Sequence, residues 1–454
     1  MNTVQPSRPL GAPLMLATLL LSAPTAFAGP ALTIYSSDLG LVRETRTLEL
    51  AGPRDTVRIA DIPDRIDFTS VRLDPGSGPR VTRLAYRFDV ASGDALIERA
   101  LGQRVRVSSR GDRVTEGTMI ATDGSWLVVR AGDGAFSTLA RSAVEEVRLA
   151  NPPLGMSLRP TLEAVLEGGR RGRAEADLTY LTGGLSWSAE HTLVRRGETS
   201  AVWSTAVTID NTTGRTWDDA EVKLVAGEPR RETAMPAPRG PGMMMMKEGM
   251  ALSASADMSE QGFSEYHLYT LGRPATLRDR ETQSFSMILP HTVKVTPRYS
   301  YRGGDPRGVI SQIEMVNAKS DGLGEPLPAG RVRIFEADPA GALQFTGENR
   351  IRHTPEGEKL TLEMGVAFDL AAERREVYNK RTSDREREIE VEIKLRNRKK
   401  SAVTIVVAEG VGGDSDVIRK THEFTRKDAG TLEFRVPVAT GAEVVLDYAM
   451  RVRY

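Results

Sequence analysis

Cysteine is absent from all 454 residues. That excludes disulfides, thiolate-bound metal sites and a lipid-modified cysteine anchor. Long hydrophobic runs are missing too, for the clearest one, Leu14 to Leu21, is too short to span a bilayer. Neither sign of charge is in surplus, because 61 Lys and Arg balance 61 Asp and Glu. A phosphate-tracking surface needs excess cations, so nucleic acid and anionic lipid are not indicated as partners. Aromatics reach only 6%, thin for a sugar-stacking face or the girdles of a membrane barrel. Histidine is scarce, and His191, His267, His291, His353 and His422 include no pair at local metal-ligand spacing. Zincin and nucleophile-elbow motifs are also missing.

What is present begins with a leader. Arg8 supplies a positive charge, Leu14 to Leu21 an apolar stretch, and Ala26-Phe27-Ala28 a small-residue cleavage signature. This layout predicts a secretory signal peptide cut between Ala28 and Gly29, hence a periplasmic or secreted chain. A little over four hundred residues remain, enough for two to four domains.

The dominant period is two. Ile389, Val391, Ile393 and Leu395 alternate with Glu388, Glu390, Glu392, Lys394 and Arg396, the pattern of a half-buried strand. Leu432 to Val438, Val444 to Val452, Leu32 to Tyr35, Leu41 to Leu50, Thr56 to Ile62, Ala201 to Ile209 and Ala402 to Val407 read the same way. Helix is expected over Asp94 to Leu101, stopped by Gly102, and over Thr161 to Leu166 after Pro160. Between those helices, five short strands separated by Gly-containing turns suggest a small SH3- or Sm-like barrel. No internal repeat of 20–50 residues is visible.

The expected fold is therefore all-β. It comprises several small antiparallel β-domains, an SH3/Sm-like barrel plus two β-sandwich-like domains, with few short helices. The divisions are 1–28 signal peptide, 29–93 N-terminal β-segment, 94–150 helix plus barrel, 151–298 first sandwich and 299–454 second sandwich. A Met- and Pro-rich break at 233–261 reads as a disordered loop between strands.

Candidate chemistry is sparse. Thioether sulfur suits Cu(I), which makes Met243, Met244, Met245, Met246 and Met250 weak metal candidates; no other metal, cofactor or catalytic residue is indicated. Consecutive methionines cannot all face one ion, and no His lies among them. Asp218-Asp219 and Glu145-Glu146 are adjacent, so on a strand each pair faces opposite sides. Trp126, Trp187, Trp203 and Trp217 are expected to anchor cores. His267, between Tyr266 and Tyr269, is the histidine to inspect first, and Arg396 to Lys400 is expected to solvate a hairpin end. The alternating C-terminus resembles the last strand of an outer-membrane barrel, but the short, charge-rich strands favour a soluble sheet.

Several blocks resemble one bacterial family, the domain of unknown function numbered 4139, some of whose members are labelled mucoidy inhibitors. They are Leu32 to Tyr35 with Asp38 to Glu44; Leu178 to Leu181 with Leu185-Ser186-Trp187; and Asp210-Asn211 through Trp217 to Leu224–Glu228. Glu265 to Leu271, Leu327 to Phe335, Gly347-Glu348 with His353-Thr354-Pro355, and Arg396 to Lys399 continue the series. The resemblance implies an exported, β-rich protein and supplies no catalytic residues. His191 replaces the aromatic residue of relatives, and their long coiled-coil insertion is absent. The expected role is an exported, non-catalytic cell-envelope binding or scaffolding protein with an envelope protein or glycan partner. Alternatives are an envelope hydrolase built from scattered His, Asp and Tyr, and copper binding through the methionines.

Overall fold

A computed structural model of the chain describes residues 29–88, 93–149, 157, 159–227, 229, 258–263, 266–412 and 414–453. The expected leader, residues 1–28, and the methionines Met243 to Met246 and Met250 lie outside the described residues. The regular structure of the described residues is almost all strand, with one α-helix, Gly93–Arg99. None of its helices is long and apolar enough to cross a membrane.

Two β-sandwiches of the same connectivity follow one another. The first uses Ala31–Tyr35, Leu39–Leu50, Gly172–Thr182, Leu185–Arg195, Ser200–Asn211, Trp217–Ala226, Met258–Phe263, Tyr266–Leu271 and Glu281–Lys294. The second uses Thr296–Arg302, Ile310–Val316, Lys359–Val366, Leu370–Ser383, Glu386–Asn397, Val403–Gly410, Phe424–Asp428, Thr431–Val438 and Glu443–Arg453. In each, the first strand pairs antiparallel with the second and parallel with the sixth. The second pairs with the third, and the sixth, eighth and seventh continue the sheet outward. The fourth, fifth and ninth strands build the facing sheet. The same nine-strand connectivity therefore occurs twice along the described chain.

Alternation explains each core. Leu32, Ile34, Val42, Leu178, Tyr180, Trp187, Val207, Ile209 and Val222 meet between the sheets of the first sandwich. Val391, Ile393, Leu395, Ile405, Val407, Phe434, Leu446 and Tyr448 do so in the second. Each such side chain contributes roughly 1.5–3 kcal/mol on leaving water. The last strand, Glu443–Arg453, is thus a core strand of a four-stranded sheet.

Both sandwiches carry an insertion between their second and third strands. In the second, that insertion holds the hairpin Gly330–Ala337 and Leu343–Ile351, which reaches back to extend the first sandwich's facing sheet. Gly330–Ala337 lies parallel to Leu185–Arg195, starting with Ala189 opposite Gly330. A further core, with Leu193, Trp203, Ile334, Ile313 and Leu362, joins the units. In the first sandwich, the insertion holds a three-stranded sheet of Arg54–Ile59, Thr161–Glu167 and Arg80–Arg87, plus a small five-stranded sheet.

Several expectations need correction. Thr161–Glu167 is a strand, not a helix: Leu162, Ala164 and Leu166 face the core in alternation, and the strand is paired on both sides. The five strands expected between the helices exist, but the barrel does not close. Phe136–Ala140 and Val144–Leu149 are the two opposite edges of an open sheet. Its small core is covered instead by Ile97 and Ala100 at the helix, so closure is not needed to exclude water. The sheets are antiparallel as expected, apart from three strand pairs among the described residues that run parallel. Met258–Phe263 is strand and overlaps the end of the 233–261 segment read as a disordered loop. Trp126 is 48% exposed on the outer face of the small sheet, whereas the other tryptophans are buried. The adjacent acidic pairs are exposed throughout, because register shifts at Val144/Glu146 and Trp217/Ala220 break the alternation.

Candidate functional site

The inserted hairpin leaves a notch where it meets the first sandwich. Its pairing with Leu185–Arg195 starts only at Ala189, so Leu185 to Ser188 extend past the end of their neighbour. A cleft of about 560 Å3 occupies this position, lined by Ser36, Trp187, Ser188, Glu190, Gly227, Gly330, Arg331, Arg350 and His353, among others. Ligand sites favour such junctions between units.

Local chemistry fixes the walls. The Trp187 indole N–H donates to the Val225 carbonyl at 3.2 Å, and its ring meets Tyr269 edge-on at 6.3 Å. Gly330 is required because a Cβ there would lie 2.3 Å from the Ala189 carbonyl oxygen. At Gly227, φ is +129° and a Cβ would fall 2.3 Å from the Tyr266 ring.

The polar side chains are unevenly partnered. Glu190 accepts from Arg333 at 2.9 Å and lies 3.9 Å from Arg331. Glu348 sits 3.4 Å from Arg333 and 3.6 Å from Arg331. Arg331 and Arg333 therefore share the same two carboxylates, with the shorter contacts at Arg333. Arg350, directly opposite Arg331 in the hairpin, makes no ion pair among the described residues. His353 Nδ1 accepts the Ala329 backbone N–H at 3.0 Å, which places the proton of the neutral ring on Nε2.

The remaining histidines are elsewhere. His191 is buried in a closed chain of hydrogen bonds. The Trp203 indole donates to Thr205 Oγ1 at 3.0 Å, the Thr205 hydroxyl to His191 Nδ1 at 2.9 Å, and His191 Nε2 to the Pro328 carbonyl at 3.1 Å. Its ring packs 5.1 Å from that of Trp203. Desolvation pushes its pKa down to about 4, so it stays neutral. His267 lies on Tyr266–Leu271 opposite Ala226 and does not line the cleft. No group of three or more His, Asp or Glu among the described residues could hold a metal. Gly29 precedes the first strand against the Asp219 backbone.

A second polar cluster is architectural. Arg215 grips both oxygens of buried Glu44 at 3.0 and 2.9 Å, and Arg46 and the Tyr180 hydroxyl add bonds of 3.0 and 3.2 Å. Burial opposes ionisation of Glu44, but the hydrogen bonds and charge of Arg215, then of Arg46, outweigh it and hold its pKa below the ordinary value.

A family model described as a domain of unknown function, DUF4139, matches residues 176–454. The chain belongs to this family. No curated protein matches it. The blocks behind the family resemblance now have locations. Trp187, Gly227, Ala329 to Arg331 and His353 come from four separate blocks and meet in the cleft. Glu44 brings in one further block, and with Tyr180 and Arg215, from the blocks of Trp187 and Gly227, forms the second polar cluster. Sequence reasoning missed Ser36, Ser188, Glu190, Arg331 and Arg350 as site residues, since their convergence depends on the long-range pairing of the hairpin. The histidine singled out in the sequence, His267, lies elsewhere, while Trp187, Gly227, Ala329 to Arg331 and His353 were visible only as members of the family blocks.

Proposed function

We propose that this DUF4139 member is an exported, non-catalytic recognition or scaffolding protein of the cell envelope. On this reading it holds a protein partner in the cleft between the first sandwich and the hairpin of the second. The carrying observation is that the cleft is rich in donors and poor in bases. Glu190 is neutralised by Arg333, and His353 Nδ1 is occupied by a backbone N–H. A hydrolytic relay needs that nitrogen protonated and donating to a carboxylate, with Nε2 free to take a proton. Export rests on the leader sequence.

The hydrolase reading has one observation in its favour, since Ser36, Ser188, Glu190 and His353 share the cleft. The tautomer of His353 counts against it. Copper binding rests on methionines outside the described residues and has no support from the fold.

The test combines fractionation with a photo-crosslinking residue at Ser188 in living cells, and an equivalent residue at Glu376 on the distant sandwich as control. A processed chain in the exported fraction, crosslinked to one protein from Ser188 only, is the expected result. A cytosolic, unprocessed chain overturns export. Turnover of peptidoglycan, peptides or esters by the purified chain, abolished in His353→Ala, overturns the non-catalytic role.

A further inference from the structure

The geometry points to a carboxylate site: the Arg331–Arg350 pair captures the C-terminal carboxylate of an extended peptide whose backbone runs beside Leu185 to Ser188. This rests on the recognition role proposed above and names its ligand class.

The first observation is a pairing that the hairpin alone does not justify. Arg331 and Arg350 stand directly opposite one another in an antiparallel pair and both line the cleft. Like charges in that relation destabilise a sheet. Two residues along the same hairpin, on the same face, the opposing residues are Arg333 and Glu348, the complementary choice. Arg331 and Arg333 share Glu190 and Glu348, and Arg350 has no ion pair among the described residues. Three guanidinium groups thus face two carboxylates, and one cation at the cleft is left over. A ligand carboxylate would complete it through charge-assisted bonds of the Arg–carboxylate type.

The second observation concerns the rest of the ligand. Leu185 to Ser188 extend beyond the start of Gly330–Ala337, so an extended backbone entering the cleft can lie where that strand would have continued. Strand addition of this kind supplies affinity through main-chain bonds, while a terminal charge fixes register. Ser36 and Ser188 offer hydroxyls along the same walls.

The experiment uses the full mature chain, immobilised, and a pool of octapeptides randomised at the last four positions. The pool is prepared both as free acids and as C-terminal amides. Wild type is expected to retain acids at least about tenfold over amides, with retention falling as salt rises. Arg350→Gln and Arg331→Gln should each abolish that preference. Equal retention of acids and amides, an unchanged preference in Arg350→Gln, or displacement of the acids by tri-galacturonate but not by a second free-acid peptide, would overturn the assignment.

A ligand-free measurement guards against a misfolded variant. Relief of the like-charge pair should raise the melting temperature of Arg350→Gln by about 1 °C. A lower melting temperature contradicts the argument from unneutralised charge. Crosslinking of a protein at Ser188, combined with no preference for acids, would sink this inference and leave the recognition role standing.

Discussion

His191 combines an aromatic packing role with two hydrogen bonds in the interior. Its ring lies against Trp203 as an aromatic residue would, and both nitrogens are used. Its folded pKa, about 4, lies below the unfolded value of 6.5. The stability it supports is therefore full above pH 6.5 and lost as pH falls from 6.5 towards 4, by on the order of 3 kcal/mol. His191→Phe should flatten denaturant midpoints over that interval. At pH 7.5 it should cost about 1–3 kcal/mol, because Thr205 and Pro328 lose a partner. Glu44 has the opposite acid–base character. Its depressed pKa means that its contribution is present above the ordinary carboxylate range and is lost as pH falls below it. Arg215→Met strands a buried carboxylate and should cost roughly 3–5 kcal/mol by urea unfolding. Adding Glu44→Gln to that variant should recover part of the loss, whereas independent, additive costs would contradict a coupled pair.

Among elements, the turns between the fifth and sixth strands of the two sandwiches share one device. Buried Asn211 donates to the Arg215 and Leu277 carbonyls and accepts the Thr213 N–H. Buried Asn397 donates to the Ser401 and Val438 carbonyls and accepts the Lys399 N–H. Both carry the chain from one sheet to its facing partner, and both anchor the turn to a distant strand. Asn397→Ala should destabilise the second sandwich by about 1–3 kcal/mol, read by urea unfolding, through carbonyls left unpaired in the interior. Asn397→Asp should cost at least as much, because a carboxylate cannot donate to those carbonyls. Strands with clean alternation, such as Glu386–Asn397 and Glu443–Arg453, were legible to within a few residues. Thr161–Glu167 was not. Its Leu, Glu and Ala favour helix locally, and only pairing with Arg54–Ile59 and Arg80–Arg87 makes it extended.

For the whole molecule, the insertions decide the arrangement. Arg87 and Thr161 are opposite each other in the three-stranded sheet, so the segment holding the small sheet leaves and re-enters at adjacent points. That small sheet has its own core and pairs with no other sheet among the described residues. Replacing residues 89–159 by a short turn is therefore expected to leave a cooperatively melting, β-rich chain. Loss of the melting transition would show that the sandwiches depend on the segment. The hairpin from 330 to 351 is different, since it completes a sheet of the other sandwich and contributes to the joint core. Its removal should unfold both units.

The sequence by itself determined the strand-rich class, the absence of thiol chemistry and the family. These follow from composition, from a two-residue period and from short ordered blocks, all of which act locally along the chain. The tertiary structure alone decided that the two sandwiches repeat one connectivity, and that a hairpin from the second completes the first. It also decided that Arg331 and Arg350 face a cleft with Trp187 and His353. Parallel pairing between Ala189 and Gly330 joins residues more than a hundred positions apart. No local pattern encodes such a contact, because its stability comes from surfaces that meet only when both units have folded.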